Sequence, residues 1–316
     1  MSLKDKKYFA KAVHGAVSNS QPSLKGDALK QATDELEAEI QTRIAETQNG
    51  VGTFFDNGFI GLLKELRQLD KDKPWEKSVK RLGGIRGIQL RIVLPRLQRF
   101  LSRRTQGRFV DFQKRFRPTL RGQHSPRDIG MLEFAMSQGV AECMHWKSLP
   151  LFKTVFDFSL YSMLLWNLKP KTIIELGSGT GASSIWLADL MTMFGIDGNI
   201  YSVDLNKPEL QYEAVTFIQG DCRRIDQVFT DDFLTTTPHP WLLVEDAHVN
   251  VCGVLNHFHR YLESGDYVVL EDSDRKRDEI SQFVAEHPGC YKVDTHYTDF
   301  FGRNATCAQD SILVRI

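Results

Sequence analysis

The stretch Glu175-Leu176-Gly177-Ser178-Gly179-Thr180-Gly181 decides the fold. It follows the apolar run Thr172-Ile173-Ile174 and precedes Ala182 to Met193, whose apolar spacing predicts a helix. Strand, glycine-rich turn and helix in that order predict a nucleotide-cofactor site. Glycines at 177, 179 and 181 let the backbone turn tightly and come close to a ligand. No Gly-Lys-Ser/Thr follows, which excludes a phosphate-binding P-loop. Glu175, at the strand end, suits a cationic ligand better than a phosphate.

Two further runs narrow the ligand. Asn199 to Asp204 reads as the next strand and ends in an acid 29 residues after Glu175, placed to accept hydrogen bonds from ribose hydroxyls. Val215 to Gly220 reads as a third strand and runs into Asp221 and Cys222, a turn expected to meet an adenine ring. S-adenosylmethionine (SAM) carries an ammonium and a sulfonium, which match an acid at the first strand end. The expected SAM contacts are therefore Glu175, Gly177, Ser178, Gly179, Gly181, Asp204, Asp221 and Cys222, with Glu245 at a later strand end. A generic dinucleotide fold is the competing reading, since glycine-rich turns recur across such folds.

From Pro170 onward the pattern alternates strands and helices, as in a parallel sheet. Strands are predicted at 172–176, 199–204, 215–220, 241–246 and 267–272, and helices near 182–193, 222–229, 250–262 and 277–287. Tyr291 to Tyr297 and Ser311 to Ile316 add two strands, expected as an antiparallel pair. Upstream, Leu29, Ala32, Leu36, Ile40 and Ile44 predict a helix over 28–46, with further helices over 59–69 and 86–104. The chain thus divides into a helical, basic region over 1–130, expected as a substrate lid or an oligomerisation element, and an α/β domain over 145–316.

The 316 residues carry no net charge, but the charge is divided unevenly. Residues 1–130 hold 26 Lys and Arg against 14 Asp and Glu, and the remainder holds the reverse. Fourteen of the basic residues lie between Ser78 and Arg127. Three readings compete for them: ion pairs with the acidic half, an anionic substrate, or nucleic acid. No apolar stretch is long enough to span a membrane, and the N-terminus has no apolar leader. Five scattered cysteines without a CxxC argue for reduced thiols and a cytoplasmic setting, and against a zinc site.

Two predicted strand ends carry paired acids, Glu245-Asp246 and Glu271-Asp272. Adjacent parallel strands would bring these carboxylates together, where they repel unless a cation lies between them. Hard oxygen ligands suit Mg²⁺ or another divalent ion, with Asp246, Glu271 and Asp272 as expected ligands. His248, two residues past Asp246, is the candidate general base. His257 and His259, on the next helix, read as surface or packing residues.

Residues 145–316 resemble the cephalosporin hydroxylase-like family, which has the class I SAM methyltransferase fold. They are also similar to metal-dependent macrolide sugar O-methyltransferases. The resemblance rests on Trp146, Pro150 and Asp157, on Glu175, Gly177, Gly181 and Ser183 as E-x-G-x-x-x-G-x-S, and on Asp299 to Thr306. It implies a Rossmann-like seven-stranded sheet with an antiparallel last pair, SAM and Mg²⁺ as cofactors, and Ser183 beside the cofactor. It also implies that Asp246, Glu271 and Asp272 hold the metal and that His248 is the base. The related sugar enzymes read Asp-Asp-Gly-Ser-His where this chain reads Glu-Asp-Ala-His, one residue shorter. The expected activity is methylation of a hydroxyl on a small specialised metabolite, by a homo-oligomer with no membrane partner. A nucleic-acid methyltransferase and a non-catalytic SAM-fold protein are the alternatives.

Overall fold

The computed structural model describes residues 26–46, 60–61, 63–64, 107–115, 127–140 and 142–316. They fall into two compact units that divide between residues 107 and 108. In the smaller unit, Gly26–Glu46 is one helix. It buries Leu29, Ala32, Leu36 and Ile40, the stripe that its spacing predicts. The described residues within 59–69 are helical, and the expected helix over 86–104 lies outside the described residues.

The described residues of the larger unit run from 108 to 316. Strand β1 (Phe109–Val110) is followed by a hairpin of β2 (Met144–Trp146) and β3 (Leu149–Leu151). Then come β4 (Thr172–Leu176), β5 (Asn199–Asp204), β6 (Val215–Gln219), β7 (Trp241–Glu245) and β8 (Tyr267–Leu270). Strands β9 (Tyr291–Asp294) and β10 (Ile312–Arg315) close the chain. The sheet order is β1-β9-β10-β8-β7-β4-β5-β6. Strands β4 to β8 run parallel, and β10 is antiparallel to both β8 and β9. The seven expected strands are all present; β1 adds an eighth by pairing antiparallel with β9.

Side-chain alternation assigns the two faces. Ile173, Leu242 and Val244 pack under the helices Val155–Leu168 and Ala182–Met193. Ile174, Leu176 and Leu243 pack under Val251–His259 and Arg277–Glu286. Strands β4 and β7 are buried along their whole length, as parallel strands covered on both sides must be. Each fully buried Leu, Ile or Phe stabilises the fold by roughly 1.5–3 kcal/mol.

Strand β4 has β5 on one side and β7 on the other. That reversal opens a crevice at the carboxyl ends of the strands, where ligands of open α/β sheets bind. The expected strand over 291–297 is cut short. Asp294 accepts a hydrogen bond from the His296 amide and starts the short helix Thr295–Thr298.

Candidate active site

Gly177, Gly179, Asp204, Asp221 and Cys222 line one part of a cleft of about 390 Å³. Asp246, His248, Glu271 and Asp272 line another part of it. The volume falls within the ~300–1,000 Å³ usual for small-molecule sites. Gly177 has φ +99°, and a Cβ there would stand 2.8 Å from the Asp246 carbonyl. Glycine at 177 therefore lets the β4 and β7 ends close on each other. Gly179 has φ +50°, and a Cβ there would meet nothing within 4 Å. Its amide donates to Asp204 Oδ2 at 3.0 Å, so Asp204 also holds the loop. Asp221 Oδ1 accepts from the Arg223 amide at 2.9 Å. Burial pushes the Cys222 thiol up to about 12.

Several expected cofactor residues lie beneath the cleft rather than on its wall. Glu175 is buried, and its Oε2 accepts from Ser184 Oγ and, at 2.7 Å, from Ser202 Oγ. Burial raises its pKa, and the hydroxyls of Ser183, Ser184 and Ser202 oppose the shift. Ser178 Oγ lies 2.6 Å from Ser202 Oγ in the same buried network. Gly181 caps the helix Ala182–Met193 with φ +80°, against Leu210 and Phe217. Glu245 is fully buried; it pairs with Lys276 Nζ at 2.6 Å and accepts from the His248 amide at 3.0 Å. Glu175, Ser178, Ser183 and Glu245 are thus tied into hydrogen-bond networks next to the loops, and Gly181 starts the helix after them.

The acidic end departs from expectation in its grouping. Ligand atoms of Asp246, His248 and Asp272 all lie within 4.8 Å of one another, as a cation site requires. Glu271 lines the same cleft beside Asp246, and its carboxylate bonds Lys153 Nζ and, at 2.5 Å, the Tyr161 hydroxyl. Burial alone would raise the Glu271 pKa, but the charge and hydrogen bond of Lys153 hold it below the usual range. Lys153 Nζ also lies 3.5 Å from Asp246 Oδ2. The Asp246 carboxyl is pushed up by burial and by the neighbouring Glu271 charge. His248 Nε2 lies 3.3 Å from Asp246 Oδ1 and 3.8 Å from Asp272 Oδ2. Burial, and then the Lys276 charge, lower its pKa.

His248 and Asp272 both have left-handed backbones, φ +58° and +47°. Such conformations cost roughly 1–2 kcal/mol each for most L-residues. Strain of this kind concentrates at functional sites, where the surrounding fold enforces it.

Lys153, Tyr161 and Lys276 escape sequence reasoning because they meet their acids across 31 to 118 residues of chain. Asp157, singled out only as part of a resemblance, is a buried clamp. It accepts from Thr154 Oγ1, from Thr306 Oγ1 at 2.6 Å and from the Cys307 amide. It thereby ties the helix Val155–Leu168 to the C-terminal stretch.

The described part of the basic stretch is used internally. Arg108 makes a bidentate bond to Asp294, and Arg115 makes one to Asp299 while also reaching Asp310. Arg127 lies over the Phe134 ring and donates to the Thr306 carbonyl. Lys114 pairs with Asp111 at 3.0 Å. Of the two readings of His257 and His259, packing is the one observed: they bond the Phe229 carbonyl and the Tyr291 hydroxyl. Among the described residues no helix is long and apolar enough to cross a membrane.

Comparisons with known proteins identify the family. The profile of the Rhamnosyl O-methyltransferase/CmcI family matches residues 138–316. A rhamnosyl O-methyltransferase of Mycobacterium leprae is 25% identical over 195 residues, covering 54% of this chain and 82% of that protein. One from Mycobacterium bovis is 25% identical over 187 residues, covering 52% and 75%. Among solved structures, an apo form of CmcI is 25% identical, covering 63% of this chain and 89% of that chain, with a TM-score of 0.49. A CmcI structure described with Mg and SAM is 27% identical, covering 63% and 88%, with a TM-score of 0.48. The family profile covers more than half of the sequence, including the glycine loop and both acidic strand ends, and the chain belongs to the Rhamnosyl O-methyltransferase/CmcI family of SAM-dependent O-methyltransferases.

Proposed function

We propose that this protein transfers a methyl group from SAM to a hydroxyl of a small, sugar-like acceptor, assisted by a divalent cation. The observation that carries this reading is the meeting of Asp246, His248 and Asp272 in the same cleft as the glycine loop. The residues fit both groups. The space over Gly179 is open to a ligand, and Asp204 and Asp221 offer carboxylates at the β5 and β6 ends. Asp246 and Asp272 offer the hard oxygen donors that Mg²⁺ prefers. Lys276 offsets Glu245, and Lys153 is shared between Glu271 and Asp246, so two lysines face four acids and the excess of negative charge is open to an added cation.

When bound, SAM supplies an electrophilic methyl group and a divalent cation lowers the pKa of a hydroxyl. Asp204 and Asp221 would orient the nucleoside, and Gly179, open where a Cβ would stand, would let the backbone approach it. His248 takes the acceptor proton at Nε2, held in place by the Glu245 bond to its amide. Fixing acceptor and cofactor face to face contributes much of the acceleration.

We also place the protein in the cytoplasm as a homo-oligomer acting in natural-product biosynthesis, with residues 1–130 serving as a substrate lid or an oligomerisation element. The five free cysteines support the reducing compartment.

The test uses labelled SAM and a panel of glycosides. Transfer should stop in excess EDTA and return with Mg²⁺. Full turnover in EDTA would remove the cation from the reading, and absence of SAM binding by calorimetry would remove the reading itself.

A further inference from the structure

Phe152 is 65% exposed, whereas Leu151 before it is 2% exposed and Lys153 after it is 3% exposed. This is strand-like alternation carried one step beyond β3, with the aromatic ring on the outward side. The ring nonetheless lies in a concavity: Phe152 lines the same cleft as Gly179, Asp246, His248 and Asp272. Single apolar residues on convex surface need no explanation. A large aromatic on the wall of a polar cleft does, because water there is displaced only when a ligand arrives.

The backbone at Phe152 is fixed from both sides. Leu151 pairs with Met144 across the hairpin. The Lys153 amide donates to the Leu151 carbonyl at 3.1 Å, and Lys153 Nζ is anchored on Glu271. Thr154 then caps the helix Val155–Leu168 by accepting from the Asp157 amide. With the backbone fixed, only the ring's own side-chain rotations remain to be ordered on binding.

We propose that Phe152 is the platform on which the acceptor ring rests, and hence a determinant of acceptor class. This rests on the methyltransferase reading above and goes further, because it names the residue that reads the acceptor's ring. One end must offer a hydroxyl to the Asp246–His248–Asp272 group. The other must offer a flat apolar face to Phe152. A hydroxylated ring, such as a pyranoside with its axial C–H face, meets both demands. An open-chain polyol with the same hydroxyls meets only the first.

The probes are methyl α-L-rhamnopyranoside and its acyclic counterpart rhamnitol. Binding is measured by calorimetry on the full chain with Mg²⁺ and S-adenosylhomocysteine, so that no turnover is needed. Covering a large part of an aromatic ring should favour the pyranoside by about 10- to 100-fold in wild type. Phe152→Ala should level the two probes, and Phe152→Trp should keep the preference. S-adenosylhomocysteine affinity and melting temperature should stay as in wild type, because the ring is exposed in the free protein. A Phe152→Ala variant that still prefers the pyranoside overturns the proposal, as does a wild type that binds neither probe or both equally. Loss of the ring preference alone leaves the methyltransferase reading standing. Failure of wild type to bind S-adenosylhomocysteine would remove both.

Discussion

At the glycine-loop end of the cleft, the buried carboxylate of Glu175 is surrounded by serine hydroxyls. At the β7–β8 end, Glu245 and Glu271 each face a buried lysine. Neutral donors satisfy a carboxylate's hydrogen bonds without cancelling its charge. A lysine does both, but Lys153 is shared between Glu271 and Asp246, so the two lysines leave an excess of acid on the wall that Asp246 and Asp272 line. The first arrangement builds a stiff floor under a cofactor loop, and the second builds a site with a set charge.

The most damaging change should be His248→Ala, which removes the proposed base at the charged end. It should lower kcat by roughly 10²- to 10⁴-fold while SAM binding by calorimetry stays near wild type. A variant with wild-type kcat would return His248 to a purely structural role. Next comes Lys276→Met, which leaves Glu245 buried without its counter-ion. Breaking a buried pair in this way should cost about 3–5 kcal/mol in urea unfolding. A loss below about 1 kcal/mol, the size of a surface pair, would show that the two ends are held alike. Ser184→Ala, at the serine-lined end, should cost only about 1–3 kcal/mol, the penalty for one lost partner of a buried group. A loss equal to that of Lys276→Met would erase the contrast.

The parallel core was legible because its strands are continuous apolar runs bounded by glycines and acids. Strand β4 and the helix Ala182–Met193 match their expected bounds. The β2–β3 hairpin was not read. Its turn residues Lys147 and Ser148 both have positive φ, +48° and +69°, where Asn-Gly would have signalled such a turn. Strand β1, two residues long, carries no period to detect. At the site, the acids were legible as residue types, but their depth was not. Glu245 and Asp246 are neighbours in sequence, yet one faces inward to Lys276 and the other lines the cleft. Which acid serves as frame depends on lysines far away along the chain.

The left-handed backbone at His248 and Asp272 also limits the paths open to descent. At Asp272, asparagine and glycine are the accessible alternatives, since both tolerate positive φ, whereas valine, isoleucine and threonine do not. A lineage could therefore lose the acid at 272 and keep its loop, ready to regain the charge by a single exchange. A β-branched replacement would deform the loop itself and close that route.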